Sequence, residues 1–250
     1  MKHADHADRM GFIKKVYSIL FVQLAITAAC VVPVVLSTKN NSYCIVNPIT
    51  SYETCTITGP SLAYWMEKNW GWQIAAFFGA ITTEITLICA RHLARKAPIN
   101  YIILLIFTIC EAYMLSSTCI YYAATSPGTV MQAFIGTAMI VLACTGYAFT
   151  AKNDFTTKGA FVWILAMTLM FCGLFFLPLF WATGHVGFWY NVILVLCVFI
   201  LGILLIHDTQ LIVGKGRWRL GIDDYILGAL ILFVDIITIL YYMLMLFGKK

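Results

Sequence analysis

Apolar runs long enough to cross a lipid bilayer, separated by short polar stretches, recur along almost the whole chain. A spanning helix needs about 20 mostly apolar residues, because the hydrocarbon layer is about 30 Å thick and each residue rises about 1.5 Å. Runs of that kind read at 16–36, 72–90, 101–123, 129–150, 160–180, 190–207 and 225–247. Of 250 residues, 62% are hydrophobic and 11% charged, a charged share less than half that of an ordinary globular domain. Too little polar surface remains to clothe a water-soluble fold. The expectation is therefore an all-α membrane protein, a bundle of seven transmembrane helices. It forms a single membrane domain over 16–248, behind a tail at 1–15 and with a lumenal loop at about 37–71.

The basic residues orient this arrangement. With seven full spans, twelve of the sixteen Lys and Arg fall on the side of the N-terminus and four on the other. The positive-inside rule then makes the N-terminus cytoplasmic. If the last segment re-enters instead of crossing, the division becomes fourteen against two. Charge thus leans towards re-entry, and the length of 225–247 towards crossing; crossing is the reading preferred here. The first fifteen residues are polar, mixed in charge and followed by no evident cleavage site, so they read as a tail and not as a signal peptide. The net charge of +5 belongs to membrane orientation and implies no nucleic acid partner. The lipid bilayer is the first partner.

The long loop after the first span holds two cysteines, Cys44 and Cys55, and the glycosylation sequon Asn40-Asn41-Ser42. On the non-cytoplasmic side, an oxidising compartment would allow a disulfide. Both features fit a secretory-pathway membrane. The other seven cysteines fall inside spans, where they read as small buried hydrophobes.

Acids at membrane depth are costly, and they normally face protein or a water-filled path. Asp208 closes the sixth apolar run beside His207, and Asp235 sits near the middle of the last. Asp223 and Asp224 stand at the start of the last span. Eleven residues separate Asp224 from Asp235, so the two share a helical face about 16 Å apart in depth. Acids at the mouth and halfway down suit a cation path. If Asp208 and Asp235 meet, the two carboxyls cannot easily both ionise. A shared proton would hold the helices together, and its loss would push them apart. The greater depth of Asp235 demands tilt or a kink. Glu84 in the second span shares a stripe with Arg91 and Arg95, read either as a polar seam with snorkelling arginines or as an arginine turned inward to an acid. Glu111 in the third span reads as a carboxylic acid bonded to a neighbouring helix. Three other readings compete: acids that only fasten helices, an intramembrane aspartyl protease and a seven-span receptor. The protease pattern, Tyr-Asp followed by Gly-x-Gly-Asp, is not matched by Ile206-His207-Asp208 and Phe233-Val234-Asp235, and the loops are short for a receptor. No enzyme is expected.

At these residues the chain resembles the transmembrane Bax-inhibitor-motif proteins, also called lifeguard and Golgi anti-apoptotic proteins. The resemblance lies in His207-Asp208-Thr209-Gln210-Leu211-Ile212, Asp223-Asp224-Tyr225 and Val234-Asp235-Ile236-Ile237. It extends to KKVYSILFVQL in the first span, Pro98-Ile99-Asn100, and Phe107-Thr108 with Glu111. His207 departs from the family's usual Tyr and adds a titratable neighbour. The resemblance implies a seven-helix bundle with the last helix central, and a pH-sensitive calcium leak from ER- or Golgi-type stores that modulates apoptosis. It implies a gate of Asp208 and Asp235, buffered by Arg95 or Arg91. Asp223 or Asp224 is then the cytoplasmic mouth, and Asp235 a transient calcium site with no cofactor. The alternative it leaves is a non-conducting membrane protein that binds cell-death regulators or other calcium channels.

Overall fold

A computed structural model of the chain describes residues 2–46, 53–57, 61–125, 127–151, 165, 188–214 and 220–248. In order these form α1 (Lys2–Asn41), β1 (Ser42–Val46), β2 (Glu53–Ile57), α2 (Leu62–Lys68), α3 (Gly71–Cys89), α4 (Arg91–Ala94), α5 (Ile99–Thr125), α6 (Pro127–Thr150), α7 (Phe188–Val213) and α8 (Tyr225–Phe247). Six of these helices are long and apolar enough to cross a membrane: α1, α3, α5, α6, α7 and α8. The chain is a multi-pass, all-α membrane protein with one small hairpin. Apart from residue 165, the span read at 160–180 lies outside the described residues, as does the loop at 152–158. Helix α8 runs unbroken for 23 residues, about 35 Å, long enough for a full crossing.

The chain divides into two compact units, residues 1–17 with 133–250, and residues 18–132. In the first, α8 packs along α7. Half of α8's most apolar stretch is buried, against 11% for α3, which makes α8 the most enclosed of the spanning helices. Gly228 explains one close approach. A Cβ there would stand 3.3 Å from Val16 Cγ2 and 3.5 Å from Ile212 Cγ1, so α1 and α7 both close over a bare backbone. Small residues at such crossings let helices meet where lipid offers no hydrophobic drive for association. Near the other end of α8, Gly136 of α6 faces Met243 and Phe247 in the same way.

In the second unit α3 lies along α5. The Gln23 Nε2 of α1 donates to Thr108 Oγ1 of α5 at 3.1 Å, with both side chains buried. Helix α2 starts at Ser61, whose hydroxyl accepts from the Tyr64 amide as an N-cap. Its Ala63 and Met66 join Val34 and Ile120 in a small core that Tyr113 partly covers.

Four expectations need correction. The stretch read as a tail is helical from Lys2 and continuous with the first span. The stretch read as a loop carries an antiparallel hairpin and a helix, so the polar composition concealed order. The stripe through Glu84, Arg91 and Arg95 does not exist as one helix. At Ala90 ψ turns to 65°, α3 ends at Cys89, and Arg91 opens the separate α4. Finally α7 continues to Val213, so Asp208 lies inside the helix instead of closing it. Thr209 and Gln210, just past Asp208, are buried at 0% and 3% exposure, and packing lets the helix run through them.

Gly228→Val should lower stability by about 1–3 kcal/mol through overpacking. Gly228→Ala should cost less, because only one carbon meets Val16. Thermal unfolding of the two variants in detergent, read side by side, checks the order.

Candidate functional site

Helix α7 brings Asp208 and helix α8 brings Asp235 into one site within the first unit. Their carboxyls lie within side-chain hydrogen-bonding reach of each other. Continuation of α7 to Val213 removes much of the depth difficulty, since Asp208 now lies five residues inside its helix and Asp235 ten residues inside α8. The Leu220 amide donates to the Leu211 carbonyl at 3.2 Å, so the chain returns beside the last turn of α7 and not beyond it. That return narrows the remaining offset.

Around the pair, several polar atoms are enclosed. His207 Nδ1 contacts Asp208 Oδ1 at 2.7 Å, a contact that is an ion pair when the ring is protonated and a hydrogen bond when it is neutral with Nδ1 carrying hydrogen. The Asp235 residue is only half-buried, yet its Oδ2 is shut off and has no hydrogen-bond partner among the described residues. Tyr17 Oη of α1 lies beside Thr209 Oγ1, and both are buried without reaching hydrogen-bonding geometry. Three buried oxygens of this unit, on Tyr17, Thr209 and Asp235, thus keep unused capacity. Buried polar atoms are nearly always satisfied, so such a group calls for an explanation.

The end of α7 is held by a residue that sequence reasoning counted only as one charge of the tail. Arg9 donates from Nε to the Val213 carbonyl at 3.3 Å, from Nη1 to Leu220 at 2.6 Å and from Nη2 to Leu211 at 2.9 Å. A helix leaves its last four carbonyls without intrahelical partners. In α7 Gln210 O accepts from the Gly214 amide, Leu211 O from Leu220 N and Arg9, and Val213 O from Arg9. A cation there also complements the negative end of the helix dipole. The guanidinium stacks 4.8 Å from the centroid of the buried Phe12 ring. Gly214 takes φ +71°, and a Cβ on it would run into Arg9. Lys15, further along α1, stands 5.6 Å from the Tyr225 ring where α8 begins.

The remaining sequence candidates separate. Asp223 is exposed, whereas Asp224 is buried as the N-cap of α8, its carbonyl accepting from the Gly228 amide. Of these two acids, Asp223 is therefore the one on the surface. Glu84 and Glu111 belong to the second unit, half-buried and close enough for their charges to interact. Arg91 and Arg95, both exposed, stand at the two ends of α4 in that unit. Asn40 occupies the last turn of α1, and Ser42 of its sequon opens β1. Cys44 and Cys55 face each other in the hairpin register. Tyr17 and Thr209 carried no role in the sequence reading. Their signal was a hydroxyl within an apolar stretch, too common to stand out.

Arg9→Ala should destabilise the first unit by about 1.5–3 kcal/mol, the range for hydrogen bonds to a charged group, with partial exposure favouring the lower end. Arg9→Lys should recover only part of this, since a single ammonium cannot reproduce the guanidinium fork. Hydrogen exchange at the Leu220 amide gives a local check: its protection should fall in Arg9→Ala and stay unchanged for amides of the second unit.

Comparison with known proteins gives one consistent result. The family model described as "Inhibitor of apoptosis-promoting Bax1" matches residues 9–250. Protein lifeguard 3 of Homo sapiens is 27% identical over 98% of this chain and 71% of its own length. Protein LIFEGUARD 4 of Arabidopsis thaliana is 30% identical, over 96% and 85%. The Golgi anti-apoptotic protein of Vaccinia virus (strain Lister) is 29% identical, over 95% and 85%. With the family match covering nearly every residue, including both aspartates and Arg9, the chain belongs to the Bax1-inhibitor family of membrane proteins.

Proposed function

We propose that this protein is a passive, pH-sensitive calcium leak of an ER- or Golgi-type membrane, with its N-terminus in the cytoplasm, and that it modulates apoptosis. The observation that carries the reading is the meeting of Asp208 and Asp235 inside two spanning helices, with Asp235 Oδ2 enclosed and unpartnered. A buried carboxyl pair is an expensive way to fasten helices, because apolar residues would do so without desolvating charge. Such a pair makes sense as a device that changes state. With one proton between them the carboxyls bind each other; without it two negative charges repel across α7 and α8. The gate closes as pH falls and loosens as pH rises. His207 modulates that balance by its contact with Asp208.

The pair also suits passage better than storage. Calcium takes about 6–8 oxygen ligands in a resident site, and two carboxyls supply only a fraction of that shell. Asp235 would then hold the ion transiently, with water completing the coordination. Asp223, exposed at the start of α8, would collect cations at the mouth. The names of the relatives, lifeguard and Golgi anti-apoptotic protein, support the membrane system and the link to cell death. They equally support a second reading, a non-conducting membrane protein that binds cell-death regulators or other calcium channels.

Calcium flux into liposomes holding the purified chain separates the two. For the leak, flux should rise with pH, and Asp235→Asn should abolish it or make it independent of pH. Asn keeps the size and one hydrogen-bonding oxygen, so an interaction protein should tolerate the change. A correctly folded native chain that passes no calcium between acid and alkaline pH would overturn the leak and leave partner binding.

A further inference from the structure

We infer that Cys44 and Cys55 form an intramolecular disulfide that clips the β1–β2 hairpin shut on the lumenal side of the membrane. The hairpin register makes them direct partners, with Tyr43 opposite Thr56 before them and Ile45 opposite Thr54 after them. Residues directly opposite in an antiparallel ladder have Cα atoms about 4.5–5.5 Å apart. A disulfide accepts Cα separations of about 4.4–6.8 Å. The register therefore sets the two Cα atoms within the range that a disulfide spans. A shift of register by one residue would set Cys44 against a threonine and lose the pairing.

Competition for these two thiols is small. The described cysteines outside the hairpin, Cys30, Cys89, Cys110, Cys119, Cys144 and Cys197, are carried by helices and not by strands. The hairpin itself has reason to need the bond. A two-stranded hairpin is marginal in water on its own. This one is supported by α5, which both strands contact. A covalent link across the strands removes freedom from the open chain and favours the paired form. The reaction joins the two sulfurs with loss of two protons and two electrons. The acceptor is the disulfide of a lumenal thiol–disulfide oxidoreductase, which leaves as a dithiol. The bond thereby fixes topology as well, since a reducing cytosol would leave both thiols free. None of this rests on calcium conduction, so a failed flux assay leaves it intact.

The full chain in native membranes should be treated with a membrane-impermeant maleimide, with and without prior mild reduction, and its digest read by mass spectrometry. Without reduction, Cys44 and Cys55 should escape labelling and appear as one cross-linked peptide pair, lighter by two hydrogens than the thiols. After reduction both should label. Cys44→Ser should expose Cys55 to the reagent without reduction, and Cys55→Ser should expose Cys44. Should either single variant fail to fold, the native chain alone still decides the matter. Ready labelling of both thiols without reduction would overturn the inference. So would a bond joining either of them to a second chain, seen as a dimer that reductant dissolves.

Discussion

In hydrocarbon there is no water to satisfy a peptide group, so every backbone N–H and C=O must find a partner within the protein. That requirement fixes the helical spans, and it shows most clearly where helices stop. At the end of α4 the buried Asn100 side chain donates to the Ala94 carbonyl at 3.1 Å, while its own Oδ1 accepts from the Tyr101 amide. At the end of α7 the same task falls to Arg9. Both are polar side chains whose work is to finish a helix.

The acid pair is the opposite kind of polar feature. Asn100 and Arg9 complete hydrogen bonds that the fold leaves open, whereas Asp208 and Asp235 bring charge into a place the fold could have filled with leucine. In the same unit, Thr209 and Tyr17 bring together two buried hydroxyls that gain nothing from each other. Three of the buried polar atoms that complete nothing structural, on Tyr17, Thr209 and Asp235, belong to the same unit as the close approach of α8 to α1 at Gly228. Close packing and incomplete polar satisfaction side by side are what a switchable contact requires: firm enough to hold one state, with unused bonding capacity available to another.

Much of this was legible in the sequence, and the failures share one cause. Apolar length located α3, α5, α6 and α8 to within a few residues, because bilayer thickness acts on each helix separately. Asp208 and Asp235 stood out since an acid in such a run has few reasons to be there. What sequence could not supply was the environment of polar stretches. The residues from Lys2 to Lys15 looked like a solvated tail; they are helical, with Phe12 buried and Arg9 engaged by carbonyls at the end of α7 some two hundred positions later. Asp208 looked like a helix end and lies within the helix. The hairpin is a different case. SYCIV and ETCTI are rich in β-branched residues, a strand signal that the loop's overall polarity obscured.

Gly214 and Arg9 show how little freedom such an arrangement leaves. The glycine's left-handed backbone and the arginine's side chain occupy adjoining space, and each is the reason the other position is constrained. A larger residue at 214 would strain the backbone and evict the guanidinium in one step. Once Arg9 has been shortened, only the strain would remain. The two sites, far apart in sequence, form a single unit of variation, and drift at either is conditional on what stands at the other.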